Sequence, residues 1–158
     1  SMRYFISHEG SYKPSKSINK YLMNEKKIGL DSFINLKKFN QKIEKSKNDL
    51  YNLLIKLKKQ GKSVAGYAAT SKSTTILNLC GINQDLIDYI ADTTLDKLNK
   101  FSPGMHIPIK SNKYFKKNYP DYAVLFAWNH KDEIFKKEKE FIKNGGKWII
   151  FIPKVKIL

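Results

Sequence analysis

Four short apolar runs, separated by longer polar and amphipathic segments, constrain the fold of this chain more than any other feature. The runs are SVAGYA at 63–68, LIDYIA at 86–91, YAVLFA at 122–127 and KWIIFI at 147–152. The third run shows no alternation of apolar and polar residues, which is typical of a strand covered on both faces. Strands of this length that alternate with helices predict a parallel sheet with right-handed crossovers. We therefore predict an α/β fold for residues 61–158: a Rossmann-like, mostly parallel sheet flanked by helices.

Helices are predicted in the segments between these runs. A short helix is expected over 74–79 with Gly81 as its stop, a second over 111–118, and a third over 129–143. The third carries apolar residues on one side and ends at Asn144-Gly145-Gly146, a sequence that favours helix termination.

Residues 1–60 are predicted to form an N-terminal helical arm that precedes the sheet domain. A strand is expected at 3–7, followed by a short helix that opens near Pro14 and Ser15 and ends at Gly29. A long helix follows, from a cap at Asp31 or Ser32 to about Gln60.

The long helix carries an apolar residue every seven positions, at Leu36, Ile43, Leu50 and Leu57. Two interpretations fit this spacing. The helix packs on its own domain, or the sevenfold series forms the seam of a homodimer.

The charge of the chain bears on its partners. The formal net charge is +16, but Arg3 is the only arginine among 30 basic residues. Nucleic-acid recognition favours arginine forks over lysine point charges, so nucleic acid is a weaker partner hypothesis than a phosphate-bearing ligand. The single cysteine, Cys80, excludes an internal disulfide and a cysteine-based zinc site, and no metal site is expected. No apolar run is long enough to span a membrane, and we expect a cytoplasmic location without a membrane partner.

The segment after the first run is the candidate binding site, because α/β sheets bind ligands at the carboxyl ends of their strands. It reads GYAATSKSTT, from Gly66 to Thr75. Glycine permits close approach of a ligand, and the following helix N-terminus favours an anion. We predict that this segment binds phosphate or diphosphate through the following residues: Gly66, Tyr67, Thr70, Ser71, Lys72, Ser73 and Thr74.

The same segment resembles a degenerate P-loop, with Ser71-Lys72-Ser73 where Gly-Lys-Ser would stand. A stand-alone nucleotide-binding enzyme is therefore an alternative, although the missing glycine and the absence of a magnesium-binding aspartate on the third strand disfavour it. Asp92, at the end of the second strand, is either a ribose ligand or a structural residue, as a strand-end cap or in a turn.

Three further residues have both a binding and a structural interpretation. His106, in the turn PGMHIPI, either contacts the ligand or is held by hydrogen bonds. Trp128 stacks on a base or sugar, or packs in the core, as does Tyr67. Asn129 either joins the site or caps the helix over 129–143.

Five ordered blocks give the chain a specific resemblance. They are GKSVAGYAATSKSTTILNLCGI, LIDYIADTT, PGMHIPI, PDYAVLFAWNHKDEI and GGKWIIFIP. In this order and spacing they resemble the C-terminal domain of S-adenosylmethionine-dependent sugar C-methyltransferases. The family typically has glycine where Ala68 and Ser73 stand and proline where Thr70 stands, whereas Lys72 is retained.

The resemblance implies a function for a part of a larger enzyme. It implies that this domain binds the nucleotide portion of a nucleotide-linked sugar and binds no cofactor itself. By the same resemblance, S-adenosylmethionine and the catalytic residues are expected in an upstream catalytic domain of the same polypeptide, so we predict no catalytic residue here and no turnover by this part alone.

Overall fold

The computed structural model describes residues 3–158, which form two compact units. The first extends to Lys42, and the second is Ile43–Leu158. The division predicted at 60/61 thus falls within the second unit, which includes the C-terminal half of the long helix.

The first unit contains helix α1, Lys16–Ile28. The Ser15 hydroxyl accepts from the Ser17 N–H at its start, and Gly29 ends it at φ 69°. No residue of α1 is buried. The predicted strand at 3–7 is wrong, because these residues are exposed and pair with no strand among residues 3–158. An apolar triplet without a neighbouring strand leaves its backbone groups to water, so it does not become a strand.

Helix α2, Phe33–Lys59, confirms the predicted long helix. Leu50, Leu54 and Leu57 are buried in the second unit. The helix therefore packs on its own domain in this half, as one of the two interpretations requires. Of the sevenfold series, Leu36 is 51% exposed. A homodimer contact remains a prediction for this exposed part of α2.

The second unit is built on a six-stranded sheet in the order β3-β2-β1-β4-β5-β6. Its strands are β1 Val64–Tyr67, β2 Ile90–Asp92, β3 Ile109–Ser111, β4 Tyr122–Leu125, β5 Lys147–Ile150 and β6 Lys156–Ile157. All neighbours pair in parallel except β5 and β6, which are antiparallel. The predicted α/β fold with a mostly parallel sheet is confirmed.

Two strands were not predicted, and the four predicted strands are all shorter than predicted, β2 most of all. β3 and β6 contain three and two residues, too few for a periodicity to show. The predicted second strand, 86–91, is strand only from Ile90, because Leu86 and Ile87 belong to a preceding turn. These two side chains are buried nevertheless, which explains why their sequence resembles a strand.

The helices of the second unit lie on both faces of the sheet. They are α3 Ser71–Cys80, α4 Asn112–Lys117, α5 Lys131–Lys137 and α6 Lys139–Lys143. α3 begins three residues before the predicted Thr74. The predicted helix 129–143 is interrupted, since Trp128–His130 is a 3₁₀ helix and Glu138 separates α5 from α6.

The core has two layers, one on each face of the sheet. Side chains of α2 and α3 pack with Val64, Ile90 and Val124 on one face. Those of α4, α5 and α6 pack with Ala65 and Trp148 on the other. All four residues of β1 are buried, and neighbouring residues of a strand point to opposite faces, so both faces of β1 are covered. This covering leaves the ends of the strands as the open edges of the sheet.

Candidate functional site

A cavity of about 300 Å³ opens at the carboxyl ends of the central strands. The chain builds β2 and β3 on one side of β1 and then β4 and β5 on the other. The connections therefore diverge at β1 and β4, which creates a crevice outside their carboxyl ends. This crevice is the position at which open α/β sheets bind ligands.

The walls of the cavity come from the ends of three strands and from three helical segments. The lining side chains that carry polar groups are Tyr67, Asp92, Thr93, Asn112, His130, Glu133 and Lys137. Of the residues predicted from the sequence, only Tyr67 and Asp92 line the cavity.

Tyr67 lies at the end of β1, in a buried network beneath the cavity. Its hydroxyl donates to Glu138 Oε1 at 2.8 Å, and the Asn112 side-chain amide donates to the same oxygen at 2.8 Å. Burial, together with the Glu138 carboxylate, raises the pKa of Tyr67 far above its usual value, although the Asn112 amide opposes this shift. The Tyr67 hydroxyl is therefore a neutral donor, with its ring packed edge-on against Phe115 and Trp148.

Asp92, at the end of β2, holds two loops through its carboxylate. Oδ2 accepts from the Ala69 N–H at 2.7 Å, and Oδ1 accepts from the Thr94 N–H at 2.7 Å. Burial alone raises the pKa of Asp92, but the bonds from Thr94 and Ala69 and the nearby Lys97 ammonium outweigh it and lower the pKa below its usual range. This geometry is that of a strand-end cap, the structural interpretation considered for Asp92.

The loop between β1 and α3 is short and tightly bonded. Ala68 has φ 71°, a left-handed conformation that favours glycine. The Thr70 hydroxyl accepts from the Ser73 N–H as the helix N-cap, and the buried Ser73 hydroxyl donates to Thr70 O at 2.6 Å. Two of the predicted phosphate-binding hydroxyls thus hold the helix start together, whereas Ser71 is exposed and Thr74 is half-buried.

Lys72 projects from the first turn of α3 toward the segment that follows β4. Its ammonium donates to Asn129 Oδ1 at 2.9 Å and lies 5.2 Å from the Trp128 ring centroid. The Trp128 ring packs in turn against Phe151, at 5.4 Å between centroids. The structure therefore brings Lys72 into contact with Trp128 and Asn129, which the sequence placed at the same sheet edge. Trp128 and Asn129 lie in the chain between Ala127 and His130, two residues that line the cavity.

Asn129 does not cap the helix that was predicted to begin there. α5 begins at Lys131, and its cap position is occupied by His130, whose side chain makes no capping bond. The Asn129 amide oxygen accepts from Lys72 instead. The capping interpretation of Asn129 is wrong, because a 3₁₀ turn precedes the α-helix.

Gly66 and His106 lie apart from the cavity lining. A Cβ at Gly66 would stand 2.6 Å from Phe126 Cε2, so this glycine serves the packing of the sheet. His106 is exposed, has φ 51°, and precedes β3, which places it at the amino-terminal edge of the parallel sheet. The cavity lies at the opposite edge, so the structure does not bring His106 together with the other candidates.

Sequence reasoning did not select Asn112, Glu138 or Lys137. Asn112 follows β3, a strand too short to recognise, so its place at the carboxyl edge was not visible. Glu138 stands in the lysine-rich run KKEKE, which resembles a solvated helix surface, yet it is 1% exposed. The sequence held one signal for the burial of Glu138: this acidic residue interrupts the apolar helical stripe between Ile134 and Phe141.

Two properties restrict the chemistry of the described residues. Within residues 3–158, no group of three or more histidine, cysteine or acidic side chains is arranged to hold a metal ion. No helix in this range is long and apolar enough to cross a bilayer. The cavity surface is mostly apolar, and the charged groups of Asp92, Glu133 and Lys137 stand in its wall. The Lys72 ammonium lies outside this lining at the same edge of the sheet, where it can meet an anionic group.

Comparison with known proteins assigns the family. The sheet order and the cavity at its switch point define a Rossmann-like α/β domain. The family described as C-methyltransferase C-terminal domain matches residues 1–153. The chain is 34% identical over 142 residues to the C-methyltransferase NovU of Streptomyces niveus, covering 90% of this chain and 34% of that protein. The chain belongs to the C-methyltransferase C-terminal domain family, as the five ordered blocks predicted. It spans about a third of the length of this relative.

Proposed function

We propose that this chain is the part of an S-adenosylmethionine-dependent methyltransferase that binds the nucleotide diphosphate portion of a nucleotide-linked sugar. The family supports a methyltransferase role, and NovU is named as a C-methyltransferase. In this proposal the methyl donor and the catalytic residues belong to an upstream domain of the same polypeptide, in the cytoplasm. The chain itself recognises and orients the substrate.

The observation that carries the proposal is the position of Lys72 beside the start of α3, at the cavity edge of the sheet. Thr70 satisfies the N–H groups of Ser73 and Thr74. The amides of Ser71 and Lys72 remain at the positive end of the helix dipole, where an anion is favoured. The Lys72 ammonium adds a full charge and is already oriented by Asn129 and Trp128.

The cavity next to this anion site would take an uncharged part of the same ligand. Its wall contains the apolar side chains of Ala68, Ala127 and Ile134, and it carries both the Glu133 carboxylate and the Lys137 ammonium. A ligand with a diphosphate group attached to polar rings matches both parts. The side chains of Tyr67 and Asp92 are committed to structural hydrogen bonds, so their contribution is to shape the site.

Isothermal titration calorimetry with nucleoside diphosphates and nucleotide-sugars tests the proposal. Lys72→Ala removes one charge-assisted contact and should weaken binding by about 1.5–3 kcal/mol, roughly tenfold or more. Lys147→Ala is the matched control, because Lys147 is exposed at the start of β5, on the opposite edge of the sheet. Binding that is absent, or equally affected by both substitutions, contradicts the site assignment.

The same titration with duplex DNA tests the nucleic-acid alternative. Binding driven by the charge of +16 would weaken steeply with added salt and would respond similarly to either lysine substitution. A nucleotide-specific site responds to Lys72→Ala alone.

A further inference from the structure

We propose that Glu138 is a positioning residue for the cavity, one that fixes the orientation of the Tyr67 hydroxyl and the Asn112 amide. Tyr67 and Asn112 line the cavity, whereas Glu138 lies behind them. The inference deepens the proposed function, on which its ligand-binding test rests.

Three separate segments contribute to this arrangement. Tyr67 ends β1, Asn112 opens α4, and Glu138 occupies the break between α5 and α6. Glu138 Oε1 accepts at 2.8 Å from both the Tyr67 hydroxyl and the Asn112 amide. The Asn112 amide also donates to the Tyr67 hydroxyl at 3.4 Å, which closes a triangle of hydrogen bonds. No member can rotate without breaking a bond to another.

The burial of Glu138 shows that packing alone does not account for it. The residue is 1% exposed, and its Oε2 has no hydrogen-bond partner, with the Lys116 ammonium 3.7 Å away. A buried carboxylate that pairs with a lysine but leaves one oxygen without a hydrogen bond is costly, and an apolar side chain of similar size would fill the same volume without that cost. What an apolar side chain could not provide is the Glu138 Oε1 acceptor, which holds the Tyr67 hydroxyl and the Asn112 amide together.

The direction of the Asn112 amide follows from this acceptor. Because the nitrogen is committed to Glu138 and Tyr67, the oxygen of the same group must point away from them. This Oδ1 is buried and has no protein partner. Without Glu138, the Asn112 amide and the Tyr67 hydroxyl can rotate, and the part of the cavity wall that these two residues form loses its fixed shape.

Two substitutions separate positioning from mere filling of space. Glu138→Gln keeps an acceptor oxygen for both donors and should leave affinity within about twofold of the unchanged chain. Glu138→Met keeps the volume but removes the acceptor, and it should weaken binding about tenfold, the size of one net hydrogen bond. Calorimetry with adenosine, guanosine, cytidine, uridine and thymidine diphosphates identifies the best probe, which is then used for both variants.

A second background tests whether Glu138 acts through its two partners. In a chain that carries Tyr67→Phe and Asn112→Ala, the further change Glu138→Met should cost no additional affinity. The same tenfold loss in this background, or normal affinity of the Glu138→Met single variant, would overturn the proposal. Circular dichroism at the titration temperature establishes that each variant is folded.

A measurement without ligand separates this inference from the proposed function. The two side-chain amide protons of Asn112, assigned by their loss in Asn112→Ala, should give resolved, slowly exchanging NMR resonances in the unchanged chain and in Glu138→Gln. In Glu138→Met they should move to the positions of a solvated asparagine. If no diphosphate binds, the proposed function fails, and these resonances alone decide the positioning claim. Unchanged resonances in Glu138→Met refute it.

Discussion

Replacing Asp92 by asparagine preserves the shape of the side chain but removes its charge and one of its two acceptors. In the structure, each carboxylate oxygen accepts a backbone N–H at 2.7 Å, one from Ala69 and one from Thr94. An amide has a single oxygen, so in Asp92→Asn one of these N–H groups faces an NH₂ donor. Either the loop after β2 loses its bond to Thr94, or the loops after β1 and β2 lose one of their two connections and keep the bond from Lys97 to Ala69 O.

The size of the effect follows from the burial of the group. Asp92 is 8% exposed, so water replaces the lost partner poorly. A hydrogen bond to a charged group contributes about 1.5–3 kcal/mol, and leaving a buried donor unsatisfied costs a similar amount. We expect Asp92→Asn to lower the free energy of unfolding by about 2–3 kcal/mol at pH 7.

The difference should depend on pH in a definite direction. The pKa of Asp92 is lowered in the folded chain, whereas the unfolded value is about 3.9. The stabilisation by the charged form is therefore present above about pH 4 and is lost as the pH falls through the folded pKa. Protonated Asp92 resembles asparagine, so the two proteins should converge in stability below this range. Asp121, whose pKa is lowered mainly by the Ser63 N–H, titrates equally in both and cancels.

Urea unfolding followed by circular dichroism, at pH 7 and at steps down to pH 3, measures this difference. Asp96→Asn is the matched control, because Asp96 is exposed in the 3₁₀ helix at 95–97 and should change stability by no more than about 0.5 kcal/mol. An Asp92→Asn variant as stable as the parent at pH 7, or a gap that does not narrow in acid, would refute the reasoning.

Two further predictions concern backbone positions near the site. Ala68→Gly removes the strain of the left-handed backbone at φ 71°, which stabilises the folded state by about 1–2 kcal/mol. Glycine also raises the entropy of the unfolded chain, which costs about 0.4–1 kcal/mol of stability. The melting temperature should therefore stay constant or rise, and a clear fall would contradict this prediction. Gly66→Ala places a Cβ 2.6 Å from Phe126 Cε2 and 3.1 Å from Ile90 Cγ1, and should destabilise by about 1–3 kcal/mol in urea unfolding; an unchanged midpoint would show that the ring yields freely.

The sequence predicted the parts of the fold that local patterns encode. β1 and β4 are buried on both faces and therefore appear as unbroken apolar runs. Glycine at 29 and 81 marks the ends of α1 and α3 through its left-handed conformation. β3 could not be predicted, because its three residues form a strand only through pairing with β2.

The site was predictable where it follows directly from a strand. Tyr67 lies one residue before the end of the first predicted strand and Asp92 directly follows the second, and both line the cavity. Lys72 meets Trp128 and Asn129 at the same edge of the sheet. Glu138 was not predicted, because its one local signal, an acidic residue where an apolar helical stripe breaks, does not reveal the partners that bury it. Its position depends on partners 71 and 26 residues away in the chain.

The central position of β1 has a consequence for the biosynthesis of this domain. The cavity needs Tyr67 from the first strand and Lys137 from a helix that is formed only after β4. A nascent chain that has completed β1, β2 and β3 therefore has half a crevice and no opposite wall. Any molecule that occupies the cavity stabilises only the finished sheet, so occupancy shifts the balance between complete and partially assembled chains toward the former.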